Sequence, residues 1–263
     1  EEIGPKTFLN CTSLTNLMIA DGVTSIGNAA FSGCTSLKHV ILPDSVTEIG
    51  ERAFRGCKSL ESITIPDDVT DIGKWAFRGC TMLMSVTIPE NVSKIEYGVF
   101  EACQSLKTVT FSDFIGEIGE RAFLYCSSLT DITLPERLKT IGDSAFMRCA
   151  ALTDVAIPES VSKIGRWAFE HCTSLTSVSI PNSVTEIGQS AFKSCSNLKE
   201  IQFDGTQEEW KKIMGMGRPR GVTMHYVDVI DVESNDDIVE QDLFEEKSDN
   251  MTETSSPNGI SAD

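Results

Sequence analysis

No run of apolar residues approaches the roughly 18 that a membrane-crossing helix needs, so no membrane insertion is expected within the chain. Basic residues are scarce. The 22 Lys and Arg stand against 39 Asp and Glu, a net charge of -17, and a surface of that sign repels a phosphate backbone. Nucleic acid is not an expected partner. Histidine is rarer still, and His39, His171 and His225 do not recur beside an acid or a nucleophile. There is no G-x-S-x-G, no H-E-x-x-H and no glycine loop for phosphate, so no enzyme is expected. C-x-x-C pairs are missing too, and nine cysteines cannot all form disulfides. A calcium loop tried on Asp231–Asp242 has Asp236 where Gly is needed and Asp242 where Glu is needed. No metal and no cofactor are expected.

What remains is a chain of 263 residues, 40% hydrophobic, long enough to bury a core without staples. Its charge is uneven. The segment 228–263 carries -11 of the total, is poor in aromatics, and reads as disordered.

The cysteines stand at 11, 34, 57, 80, 103, 126, 149, 172 and 195, always 23 apart. Phe8, Phe31, Phe54 and their successors to Phe192 keep the same interval, as do Leu14, Leu37, Leu60 and their successors to Leu198. Three ladders in one register mean a solenoid of about nine stacked coils. In the coil from Leu60 to Cys80, Ile63 and Ile65 alternate with Ser62 and Thr64, which predicts a short half-buried strand. Pro66 ends it, having no N–H to give. Val69 and Ile72 point inward from the next segment, Gly73 allows a bend, and Ala76, Phe77 and Cys80 pack inward from a short helical or irregular stretch. One cysteine per coil, all in the same niche, suits a stack of small buried groups better than a metal site, and parallel Cβ vectors oppose bridging.

The pattern L-x-x-V-x-I-P-x-x-V-T-x-I-G-x-x-A-F-x-x-C resembles the BspA-like class of leucine-rich repeats, the Treponema pallidum type, over residues 3 to 203. The resemblance implies an α/β repeat solenoid, curved, with a parallel β-sheet on its concave face. It also implies a surface or secreted protein of mucosal bacteria that binds host proteins or other cells, and so a non-catalytic binding scaffold. Two alternatives stand beside this: an intracellular interaction scaffold with its thiols reduced, or the targeting module of a longer enzyme. Two units depart from the pattern. Ser112 replaces proline, and Glu96 and Val99 replace glycine and alanine, so the chain between 95 and 116 is expected to bend differently.

Three regions are expected: the solenoid over 1–203, a cap over 204–230 and an acidic tail over 231–263. Ile3, Gly4 and Phe8 match the second half of a unit, so the chain is read as part of a longer one, and the lack of a signal peptide says nothing. In the cap, Thr206 to Glu209 reads as a capping box, Trp210 as a lid, and Gly221 to Val227 as a strand.

Two surfaces are candidates for binding. The strand face points Ser62/Thr64, Ser85/Thr87 and their equivalents outward, from Asn16/Met18 to Glu200/Gln202. The opposite side carries Trp75 and Trp167 in a slot that elsewhere holds Ala29, Arg52, Gly98, Arg121, Ser144 or Ser190. Such variety means an exposed slot. Arg52, Arg55, Lys74, Trp75 and Arg78, with Arg166 and Trp167 further on, form the candidate contact set for a protein or glycan partner. Stacking of each Trp on a neighbouring Arg is the alternative.

Overall fold

A computed structural model describes residues 1–214 and 221–227. The acidic tail expected over 231–263 lies outside the described residues. The coils stack in parallel at the expected offset. Asn16, Leu17 and Met18 pair with His39, Val40 and Ile41, and the same shift of one coil recurs along the array. This first ladder contains Asn16–Met18, His39–Ile41, Ser62–Ile63, Ser85–Thr87, Thr108–Thr110, Asp154–Ala156, Ser177–Ile180 and Glu200–Phe203.

A second ladder was not expected. Pairs such as Glu48–Ile49, Asp71–Ile72 and Glu186–Ile187 form two-residue parallel strands just before the glycine bend. A two-residue strand is too short to show alternation, which is why the sequence displayed only the inward Ile.

The stretch after the bend is irregular, and its backbone shows why no helix forms there. Each coil places two residues in the left-handed region. One slot holds Lys6, Ala29, Arg52, Trp75, Gly98, Arg121, Ser144, Trp167 and Ser190, with φ from 55° to 60° in every case. The other holds Asn10, three glycines, Ala102, Tyr125, Arg148, His171 and Ser194. A left-handed residue breaks a right-handed helix, so these turns bond to the neighbouring coil instead. Phe31 N–H donates to Ala53 O at 2.8 Å and Phe54 N–H to Ala76 O at 2.8 Å, an arrangement unbroken from Phe8 to Phe169.

Leu60, Ile63, Ile65, Val69, Ile72, Ala76, Phe77 and Cys80 are all buried, as their spacing demanded. The phenylalanine rings stack with centroids 5.1 to 5.5 Å apart from Phe8 to Phe192. Each coil thus buries its apolar row against its neighbours.

Gly73 sits so close to the preceding coil that an added Cβ would lie 2.5 Å from the backbone N of Glu51. The equivalent glycines donate to the previous coil, as Gly73 N–H does to Ile49 O at 2.7 Å and Gly119 N–H to Ile95 O at 2.8 Å. At Glu96 that bond is missing, and the second ladder divides there, between Asp71–Ile72 and Lys94–Ile95. The departure expected near 95–116 therefore has a steric cause. The first ladder parts at the same coil boundary, between Ser62–Ile63 and Ser85–Thr87, and again after Thr108–Thr110, where residues 131–135 form no strand.

The C-terminal end follows its sequence. Glu209 N–H donates to Thr206 Oγ1 at 3.2 Å while Thr206 N–H donates to Glu209 Oε2 at 2.8 Å, closing the capping box of helix Gln207–Ile213. Trp210 is buried and tilts on Phe203 at 5.3 Å. Strand Thr223–Tyr226 then pairs with Glu200–Phe203 in the same register and adds one rung to the nine coils read from the sequence. Among the described residues this helix is the only α-helix.

Candidate binding surfaces

The slot that carries Trp75 and Trp167 is left-handed, and it is not exposed throughout as expected: it runs from buried Ser144 through half-buried Trp75 to exposed Arg121 and Trp167. Trp75 does not stand free. Arg52 Cζ lies 4.4 Å from its ring centroid, and Tyr97 meets it edge-on at 4.8 Å. Arg121 continues the row over Tyr97 at 5.6 Å. Gly98 makes this possible, because a Cβ there would sit 2.7 Å from Trp75 Cδ1. Tyr97 and Arg121 were not in the expected set. The signal was a glycine in the slot one coil after a tryptophan, which leaves room for the indole.

The remaining candidates divide. Arg52 also pairs with Glu51, and Arg78 bonds Glu101 at 3.0 Å, with Glu101 only 10% exposed. Arg55 and Lys74 are exposed and make no ion pair among the described residues. The structure therefore brings Arg52, Arg55, Lys74, Trp75 and Arg78 onto adjoining coils. Arg166 and Trp167 lie four coils further along, about 19 Å away by strand spacing. Trp167 is 37% exposed, and no cation stacks on it among the described residues.

The cysteines are free thiols. Their recurrence has a reason beyond size. Each Sγ from Cys34 to Cys195 reaches the carbonyl of the phenylalanine in the preceding coil, as Cys57 to Phe31 O at 3.2 Å and Cys103 to Phe77 O at 3.2 Å. Burial pushes the Cys103 thiol up to about 12, and the thiols of Cys80, Cys126 and Cys149 are raised for the same cause. A buried thiol of this kind is a structural donor, not a nucleophile. Among the described residues no three His, Cys, Asp or Glu gather as metal ligands, and no helix is long and apolar enough to cross a membrane.

The strand face is polar with one apolar corner, where Met18 and Ile41 pair across adjacent strands and are 78% and 61% exposed. Asp154 accepts from Ser177 Oγ at 2.8 Å and Thr176 Oγ1 at 3.1 Å. Those hydrogen bonds, Ser177's first, hold its carboxyl below the ordinary carboxylate range.

One column escaped the sequence reading. The slot one past the strand-ending proline holds Asp44, Asp67, Glu90, Glu136 and Glu159, with Asn182 the exception after Pro181, and Asp21 and Asp113 fill it where proline is absent. Of these the seven carboxylates form an acidic column. All are exposed, and none makes an ion pair among the described residues. Counting that column would have revealed it, but only the strand geometry shows that it lines one edge of a face.

Comparison with known proteins agrees with the geometry. The profile of the BspA type leucine rich repeat region matches in six copies, over residues 1–130 and 116–214. A leucine rich cell surface protein from Faecalibacterium prausnitzii A2-165 is 34% identical, with a TM-score of 0.57 over 81% of this chain and 66% of that one. A leucine-rich repeat protein from Bacteroides ovatus ATCC 8483 is 28% identical, with a TM-score of 0.65 over 86% of this chain and 66% of that one. The pneumococcal vaccine antigen PcpA shares the fold at 21% identity and a TM-score of 0.52, over 87% of this chain and 66% of that one. This chain thus spans 66% of the length of each of these structures. Among curated proteins none matches. The repeat profile covers nearly all of the described coils, and the chain belongs to the BspA-type leucine-rich repeat family.

Proposed function

We propose that the chain is a non-catalytic binding scaffold of a bacterial cell-surface or secreted protein, acting in adhesion or protein interaction. The observation that carries this reading is the rigid display of side chains in columns. Backbone bonds and a continuous phenylalanine stack fix neighbouring coils, so outward residues recur at about 4.8 Å intervals. Many weak contacts can then add over a long surface at little ordering cost. The 34% identical relative is a cell surface protein, which supports the location.

On the turn side, Trp167 and the unpaired Arg55 and Lys74 are the contacts proposed for a protein or glycan partner. Trp75 is held by Arg52 and Tyr97, and it serves there as a wall.

The location is tested by surface proteolysis of intact source cells, with mass spectrometry for peptides from residues 1–227. Peptides released before lysis support the surface scaffold. Peptides seen only after lysis overturn it in favour of an intracellular scaffold. The contacts are tested on the partner recovered from the surface: Trp167→Ala is expected to weaken binding at least about tenfold, a hot-spot loss. Unchanged binding removes Trp167 from the contact set.

A further inference from the structure

The strand face has a fault at residues 131–135, and the acidic column runs beside it. The backbone N–H and C=O groups of Asp131 to Leu134 make no hydrogen bond among the described residues, although both neighbouring coils supply strands. The coil is nevertheless packed, since the Ile132 and Leu134 side chains are buried. Ladder groups lie in the sheet and face the adjoining coils, so the fault interrupts the face without leaving a free sheet edge. A depression of about 450 Å³ opens at this fault, floored by Leu134, Ala156 and Ile157. Its rim carries Asp131, Glu136, Asp154 and Glu159. A second depression, about 250 Å³, shares Thr133, Leu134 and Glu136 and leads on to Phe111 and Asp113. Together they form a groove across neighbouring coils.

The geometry points to this groove as the docking surface for an extended basic polypeptide segment. Two features choose the occupant. The rim is acidic and makes no ion pair among the described residues, so it complements Lys and Arg side chains. The floor is apolar, which suits the alternate, aliphatic side chains of an extended peptide. A metal ion has nothing apolar to lay on that floor, and a polyamine has no side chains to divide between floor and rim, whereas a peptide of alternating basic and aliphatic residues meets both. The inference rests on the scaffold reading in one respect, that the protein works by binding; it adds the partner's chemistry and a surface remote from Trp75 and Trp167.

The test is fluorescence anisotropy of a labelled peptide of alternating Lys and Val, with the full chain at low and moderate salt. Two isosteric triples change the charge equally. E136Q/D154N/E159Q removes groove carboxylates, and D44N/D67N/E90Q removes the same number from the same acidic column on other coils. The groove triple is expected to weaken binding at least about tenfold, and the distant triple no more than about threefold. Ala156→Trp fills the floor with every carboxylate kept, and it is expected to abolish binding. Thermal melts establish that each variant is folded. Equal losses from the two triples overturn the inference in favour of diffuse attraction. Displacement of the peptide by equimolar spermine overturns it in favour of a simple cation surface, and binding of a Glu–Val peptide with equal affinity overturns it outright. No binding by the wild-type chain overturns it too, while surface proteolysis of cells still decides the scaffold reading separately.

Discussion

Two glycine-to-alanine changes, a few coils apart, separate the two ways in which this fold uses glycine. At Gly142 an added Cβ would meet backbone only, 2.6 Å from Glu120 N and 2.7 Å from the carbonyl carbon of Gly119. No flexible side chain can yield there, so the coil must move away. That movement breaks the bond from Gly142 N–H to Ile118 O, now 2.8 Å. A lost backbone bond costs about 1 kcal/mol and overpacking about 1–3, so Gly142→Ala is expected to destabilise by about 2–4 kcal/mol. At Gly79 the added Cβ would come no closer than 3.8 Å to Gly56, and the only cost is the left-handed backbone at φ +75°. Alanine already stands in that slot at Ala102. Gly79→Ala is therefore expected to cost about 1 kcal/mol. Urea titrations followed by circular dichroism would compare the two, with hydrogen exchange reading the amides of the second ladder. Gly142→Ala should expose those amides as Glu96 already does one fault earlier. If both variants cost the same and the ladder amides stay protected, close approach is not what selects glycine at the bend.

Phe100→Ala removes a fully buried ring stacked at 5.5 Å on both Phe77 and Phe123, and a loss of about 3–5 kcal/mol is expected by chemical denaturation. Burial raises Cys103 from 9.0 to about 12, so above pH 9 the unfolded chain releases the proton first. Stability is accordingly intact below about pH 9 and falls as pH rises toward 12, and Cys103→Ala should remove one thiol's share of that fall in melts taken across the range, the other buried thiols keeping theirs. Iodoacetamide should label exposed Cys11 well before Cys57 to Cys172, as peptide mass spectrometry would read. Ser194→Gly relieves an exposed left-handed residue at φ 63° and should raise stability by about 0.5 kcal/mol.

The coil was legible because its inward residues are few in kind and strict in spacing. Leu, Ile, Phe and Cys ladders need no structure to be seen. The second ladder was hidden because two residues carry no alternation, and its stabilising feature is the bare backbone of glycine. The left-handed turn slot was hidden for a different reason: Ala29, Arg52, Trp75 and Ser144 have only a backbone angle in common. Variation at that slot led to Trp75 and Trp167, but it did not mean exposure throughout, since Ser144 is buried there and Trp75 half-buried. It could not announce that Arg52 and Tyr97 close over Trp75, which depends on the space left by Gly98. The break at Glu96 was written in the sequence as a missing glycine. The one at residues 131–135 was not, since Asp131-Ile132-Thr133-Leu134-Pro135 keeps the strand pattern in full.

Two of the faults share one boundary. Between the coil of Ser62 to Ile72 and the coil of Ser85 to Ile95 both ladders lose their strand pairing, and there the turn column carries across: Phe77 N–H reaches Val99 O at 2.9 Å and the Phe77 and Phe100 rings stack at 5.5 Å. At residues 131–135 only the first ladder opens, and Glu117 and Thr140 remain paired in the second. The phenylalanine column runs under both faults like a keel beneath a jointed deck. Tension along the axis would open the shared boundary first, where stacked rings and turn bonds bear most of the load, and would part the array there into two blocks of coils. The ring column therefore sets the strength of the whole array, which is held without a covalent cross-link between coils.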